Sequence, residues 1–388
     1  MFSSRSGVDL APNALARALA KAEAEGRPLL DLTIANPTTA GIPYEREAIL
    51  AALSRPDALV YAPQPFGLAS AREAVARDLA GPAVDPARIV LTASTSEAYG
   101  FLFKLLCDPG DEVLVPRPSY PLFEHLARLE AVNVVPYRLA YDGAWHVDLP
   151  SVREAVGPRT KAIVTVSPNN PTGSFLKAGE LDALASLGLP IVSDEVFARY
   201  PLRPGRTGEG RVVTALEARG APLVFALGGL SKLAGLPQAK LAWTAVGGEP
   251  ARVTAALARL EVIADAFLSV GTPVQHALPG LLDSRATAEN AIGARTRANL
   301  AWLAGEVTGT AVSLLDAEGG WYATLRLPRT HTEEAWALTL LGDDGVHVHP
   351  GHFFDFDEEA YLVVSLLTPE ATLREGVRRI LARVAAQA

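Results

Sequence analysis

From about Arg88 to Trp243, short runs rich in valine and isoleucine alternate with stretches whose apolar residues recur at helical spacing. Parallel strands need a crossover between them, so this alternation predicts βαβ units around a largely parallel sheet. Strands are expected at Ile89–Thr92, Glu112–Val115, Val132–Tyr137, Ala162–Ser167, Pro190–Asp194, Leu223–Leu227 and Leu241–Val246. Ser96–Leu106, Pro121–Leu129 and Gly179–Leu187 supply the crossover helices.

Ahead of this block, Pro12–Glu25 and Ser70–Leu79 read as amphipathic helices closed by Gly26 and Gly81. Behind it come a long alanine-rich helical stretch, strands at Trp321–Leu327, Gly345–His349 and Tyr361–Leu366, and a closing helix from Pro369. This carboxy-terminal third fits a separate α+β lobe. No internal repeat or long Pro/Gly/Ser linker intervenes, so the lobes are expected to pack together rather than hang on a tether.

Composition narrows the function class. A net charge of −8 over 388 residues, with no Lys/Arg-rich run, leaves no basic footprint for nucleic acid and favours a small-molecule partner. No apolar stretch approaches the ~18 residues that span a bilayer, and Met1 to Gly7 lacks the apolar segment of a secretion signal, so a cytoplasmic location is expected. Cys107 is the single cysteine, which excludes an intrachain disulfide and a cysteine-based metal site; no metal is expected. Its place in the apolar run 101–107 reads as a small buried hydrophobe.

Lysine is scarce: Lys21, Lys104, Lys161, Lys177, Lys232 and Lys240 are the full set. The first four fall where a solvated surface charge is expected. Lys232 and Lys240 lie in a glycine-punctuated segment, 228–243, read as a loop between two apolar strands where backbone can approach a ligand. A neutral lysine amine adds to an aldehyde, and desolvation or a nearby cation such as Lys240 lowers its pKa. Asp194 ends an apolar parallel strand, where ligands of open α/β sheets collect, and a carboxylate there can hold a protonated heterocyclic nitrogen. Asn170 follows another strand in a turn enforced by Pro168, Pro171 and Gly173, and reads equally well as a turn asparagine. Thr92 to Ala98 joins a strand to a helix start, so Ser94 and Thr95 can cradle a phosphate or simply cap the helix.

Taken in order, these segments resemble the fold-type-I pyridoxal-phosphate enzymes, specifically the class I/II aminotransferases, over nearly the whole chain. The markers are Tyr61-Ala-Pro with Gly67, the serine/threonine loop before Glu97-Ala98, Pro109-Gly-Asp-Glu-Val113, Pro118-Ser-Tyr120, Asn170-Pro-Thr-Gly, Asp194-Glu-Val, Ser231-Lys232, and Val346 through Pro350-Gly351. The resemblance implies an α/β fold: a large domain (45–275) with a mostly parallel sheet sandwiched by helices, and a smaller α+β domain from both chain ends (1–44 and 276–388). It implies pyridoxal 5′-phosphate as cofactor, bound as a Schiff base on Lys232, which also shuttles a proton between the substrate Cα and the cofactor. Asp194 would pair with the ring nitrogen, Asn170 would donate to the phenolic oxygen, and Tyr120 would stack on the ring. Ser94, Thr95, Ser231 and Lys240 would hold the phosphate, and Tyr61 would reach it from the other subunit of a homodimer.

Four positions depart from the family pattern. Lys240 stands for a common arginine, Gly229 for a common serine, and Phe197 for a tyrosine that donates to the phenolic oxygen. Losing that donor is expected to raise the pKa of the cofactor–lysine linkage. Val363 stands where an arginine usually clamps the substrate α-carboxylate. Either another donor takes over (Arg326, His349, His352 or backbone near Asn36), or the substrate lacks that carboxylate. The leading function is amino transfer from an amino acid or amine to a keto acid. A Cβ lyase or decarboxylase, and a non-catalytic cofactor-binding sensor, are the alternatives. No strand is followed by the glycine fingerprint of a dinucleotide fold.

Overall fold

The computed structural model describes residues 2–7, 10–203, 210–358 and 360–387. Its strands, in chain order, are β1 (Leu30–Asp31), β2 (Ile89–Thr92), β3 (Glu112–Arg117), β4 (Asn133–Tyr141), β5 (Trp145–Val147), β6 (Thr160–Val166), β7 (Ile191–Asp194), β8 (Leu223–Gly229), β9 (Ala242–Gly248), β10 (Ser313–Leu314), β11 (Tyr322–Arg326), β12 (Val346–His347), β13 (His349–Pro350) and β14 (Tyr361–Ser365). Eight of them form one sheet in the order β2-β9-β8-β7-β6-β3-β4-β5. The pairs β8/β7, β7/β6, β6/β3 and β3/β4 are parallel, and only β9 and the edge strand β5 run against them.

The valine and isoleucine runs form strands because both faces of this sheet are covered. Side chains alternate across a strand with period two. Val113, Ala162, Val164, Val192 and Phe225 accordingly enter one buried cluster, while Leu114, Ile163, Ile191 and Val224 enter another on the opposite face. Helices Thr95–Leu106 and Pro250–Asp265 cover the first face, and helix Ala178–Ala185 helps cover the second.

The carboxy-terminal part builds a four-stranded sheet, β10-β11-β14-β13, and a two-stranded one, β1-β12. Leu15 from the helix Ala14–Ala24 and Leu32 next to β1 share its core with Trp336, Leu362 and Val377, so both chain ends fill one cluster. The run expected as one strand at Gly345–His349 is divided. Val346–His347 pairs parallel with β1, and His349–Pro350 pairs antiparallel with β14. The alanine-rich stretch is three helices, Pro250–Asp265, Thr272–Asp283 and Ala286–Glu306, the second opening at Gly271 with proline in its first turn. Among the described residues no helix is long and apolar enough to cross a membrane.

One contact joins the two sheets' surroundings close to the site. Gly173 (φ +73°) accepts the backbone N–H groups of Glu318 (3.1 Å) and Gly319 (2.9 Å). The Lys177 ammonium, expected as a solvated surface charge, instead bonds both oxygens of Glu318 in a partly buried pair. A Cβ at Gly173 would lie 2.7 Å from the Gly319 carbonyl oxygen and 2.9 Å from Ala317 Cβ. Gly173→Ala is therefore expected to destabilise the fold by on the order of 2 kcal/mol through backbone strain and overpacking, read by denaturant unfolding; an unchanged midpoint would contradict this docking.

Candidate active site at the carboxyl edge of the large sheet

Topology gathers the site. Asp194 ends β7, Asn170 follows β6, Tyr120 follows β3, Ser94 follows β2 and Lys232 follows β8, all at the carboxyl edge of strands running the same way. Lys240 immediately precedes the antiparallel β9 and so returns to that same edge. Of the residues singled out for the cofactor, Tyr61 lies elsewhere, 78% exposed on its own chain.

Lys232 sits in a single helical turn, Leu230–Leu233. The segment read as an open loop is shorter than expected, because Gly228 and Gly229 belong to β8. Their glycines answer to packing: a Cβ at Gly228 would lie 2.6 Å from Trp243 Nε1, and one at Gly229 would meet Ala242 Cβ at 3.0 Å. The Tyr200 hydroxyl donates to the Lys232 carbonyl (2.7 Å), and the Tyr44 hydroxyl donates to that of Gly235 (2.6 Å), pinning the turn from two sides. Lys232 Nζ lies 5.1 Å from the Trp321 ring centre and 5.6 Å from that of Phe197. Burial lowers its pKa and the Asp194 carboxylate opposes that shift, so the amine is biased toward its neutral, nucleophilic form.

Asp194 is buried, and burial raises its carboxyl to about 6. Two donors hold it: the Val196 backbone N–H on Oδ1 and the Tyr99 hydroxyl on Oδ2, each at 3.2 Å. Among the described residues no ion pair satisfies it. The neighbouring Glu195 is raised to about 7, again mainly by burial, and accepts the Ala215 N–H at 2.7 Å.

At the other end, Ser94 caps the helix Thr95–Leu106, its Oγ accepting the Glu97 N–H at 3.1 Å. The serine is thus a cap, and its hydroxyl proton still remains free to donate. Glu97 Oε2 in turn accepts the Ala93 N–H (2.7 Å) and the Ser269 hydroxyl (2.6 Å), which fixes the loop before the helix. Of the two adjacent asparagines, Asn169 is spent inside the turn, bonding Ser119 and Thr172. Asn170 is the buried one whose side-chain oxygen has no partner. Tyr120 packs edge-on against Phe123, centroids 5.9 Å apart.

A sequence profile described as aminotransferase class I and II matches residues 27–380. The chain belongs to the class I and II aminotransferases. It is 29% identical over 375 residues to an aspartate/prephenate aminotransferase of Thermus thermophilus, covering 94% of this chain and 93% of that one. Over 381 residues it is 26% identical to an alanine aminotransferase of Mycobacterium bovis, covering 93% and 86%. The solved alanine aminotransferase of Pyrococcus furiosus superposes with a TM-score of 0.89 over the full length of both chains at 22% identity, a likeness of fold. A Thermus thermophilus aspartate aminotransferase mutant does so at 0.83 with 27% identity over 99% of each. The protein is an enzyme, a transaminase of the fold-type-I class.

The departures now have positions. Val363 is 1% exposed in an apolar cluster with Trp145, Leu315, Phe354 and Tyr361, flanked in register by Thr324 on β11 and His349 on β13. Burial pushes His349 down to about 4, so at neutral pH it offers no charge. The His352 backbone N–H donates to the Glu333 carboxylate, and its ring Nδ1 stands 3.5 Å from the same group. Asn36 Oδ1 caps its own turn at Thr38. Arg326 stands at the exposed end of β11, on the face of Tyr322 and Thr324, and hydrogen-bonds Tyr361. Phe197 is buried edge-on against Trp321, centroids 5.2 Å apart, and brings no hydroxyl.

The residues present fit pyridoxal phosphate. A buried carboxylate, a desolvated lysine and a capped helix start match its ring nitrogen, aldehyde and phosphate. Among the described residues no cluster of histidine, cysteine and carboxylate side chains can hold a metal ion.

The raised carboxyls carry a pH signature in the cofactor-free chain. Asp194 keeps its proton in the fold up to about pH 6 but loses it from about 3.8 when unfolded, so folding binds protons between those values. Stability from this group is complete below the unfolded value and is lost as pH rises through the folded one. Asp194→Asn is expected to stabilise the cofactor-free protein at pH 8 relative to its effect at pH 4, by at most about 3 kcal/mol. Urea unfolding at both pH values checks this, and a difference independent of pH would refute it.

Proposed function

We propose that this aminotransferase holds pyridoxal 5′-phosphate at the carboxyl edge of the large sheet, covalently attached at Lys232, and moves an amino group from an amino acid to a keto acid. The observation that carries the reading is one pocket holding a desolvated lysine and a buried carboxylate with no ion pair of its own among the described residues. When bound, the cofactor supplies a sink for the electron pair left as a bond at the substrate Cα breaks.

The chain's own residues do the rest. Asp194 keeps the ring nitrogen protonated, Asn170 donates to the phenolic oxygen, and Tyr120 lies against the ring. Ser94, Thr95, Ser231, Lys240 and the N–H groups at the start of helix Thr95–Leu106 hold the phosphate. Lys232 Nζ would hold the cofactor's aldehyde and, once released, would serve as the base that moves the proton at the substrate Cα. The Trp321 and Phe197 rings beside that lysine shield it from water. Tyr61 reaches the phosphate from a second copy of the chain. In support, Leu59, Val60 and Tyr61 are exposed together, and a recess of about 400 Å³ opens beside Ala93, Lys240 and Ser269.

Among the residues weighed as replacements at Val363, Arg326 shares a strand face with Thr324, the residue paired with Val363, and offers a two-pronged donor for the substrate carboxylate.

Absorbance spectra of the purified protein test the assignment. The wild type is expected to show a visible cofactor band that Lys232→Ala abolishes and that amino acids bleach; a wild type without the band after reconstitution would overturn it. For the carboxylate, Arg326→Ala is expected to raise KM for the amino-acid donor about tenfold with kcat within about twofold, the pattern of lost uniform binding; equal KM values would return the question to Val363.

A further inference from the structure

Tyr99 belongs to no role assigned above, yet it is one of two donors on the buried Asp194 carboxylate, its hydroxyl 3.2 Å from Oδ2. Tyr99 is 1% exposed, so its hydroxyl is shielded from bulk solvent. Its ring is clamped by Phe123 (centroids 5.4 Å, edge-on) and Phe103 (6.0 Å, tilted), which fixes where the hydroxyl points. Tyr99 also lies one turn beyond Thr95 on the same helix, which begins at the phosphate end of the site. One rigid element thus reaches both ends of the cofactor's place.

We propose that Tyr99 is the positioning residue of Asp194: its hydroxyl holds the carboxylate ionised and aimed at the cofactor's ring nitrogen, and so sets the strength of the electron sink. The inference rests on the reading above. The ionisable groups around Asp194 are Lys232, whose charge favours the carboxylate, Glu195, whose charge opposes it, and Tyr120 and Tyr99. Burial and Asp194 keep the Tyr99 hydroxyl protonated, so it acts as a donor and exchanges no proton. Without it the carboxylate keeps a single hydrogen bond in a dry site, and protonation becomes easier. A protonated Asp194 no longer favours the cation on the ring.

The test uses the holoenzyme. Tyr99→Phe keeps the ring and its packing and removes only the donor. Expected are a melting temperature close to wild type, cofactor affinity weakened about tenfold by spectroscopic titration, and a half-reaction slowed about tenfold. The acid limb of its pH profile should move up by about one unit. In an Asp194→Asn background the same substitution is expected to have no further effect on cofactor affinity, because its target is gone. An unchanged affinity and pH profile, or a full additional loss in that background, would overturn the proposal. If Tyr99→Phe melts far below wild type, Tyr99→His, which restores a donor, decides: recovery of the wild-type pH profile supports the role and no recovery rejects it. A wild type that binds no cofactor sinks the prior reading instead.

Discussion

A carboxylate with almost no access to water is costly unless something stabilises its charge, and Asp194 imposes that condition on everything around it. The protein meets it only partly. Two hydrogen bonds and the field of Lys232 oppose the desolvation, and the carboxyl still sits about two units above an ordinary aspartate. A cationic ring nitrogen would fill that deficit, so under the proposed reading the burial that weakens the empty fold would favour the ligand. Lys232 mirrors this, since desolvation lowers the pKa of its amine while the Asp194 carboxylate opposes that shift. Neither group is stable alone in its place, and the site is a pair of opposed penalties held close by strand ends.

Much of this was legible in the chain. Every strand expected between Ile89 and Val246 exists, with ends shifted by a few residues, because strands buried on both faces leave unbroken runs of β-branched residues. Asp194, Asn170, Ser94 and Lys232 could be placed at one edge because each follows such a run directly. The short segments were harder. β5 is three residues long and owes its existence to pairing with the end of β4, while β1 and β12 are two residues each and exist only through one another. No local pattern encodes a partner that far away.

Among the site residues, those that act through another side chain were invisible. Tyr99 reads as one more apolar position on a buried helix face beside Phe103, and only the fold shows its hydroxyl at Asp194. Lys177 looked like a solvent charge until Gly173 brought its segment against Glu318. Conversely, the glycines at 228 and 229 suggested room for a ligand when they make room for Trp243 and Ala242.

The parallel pairing of β1 with β12 has a consequence for how the molecule is made. Leu30 and Asp31 leave the ribosome long before Val346 and His347, and closing so long a loop is entropically costly. The strands of the large sheet, all between residues 89 and 248, can assemble around their own core meanwhile. Throughout that interval Leu15 and Leu32 lack most of their partners, since the core they enter is built mainly from residues beyond Leu300. Leu15, β1 and Leu32 are thus made well before most of the core they join and are buried late, which makes that stretch one in need of shielding while translation proceeds.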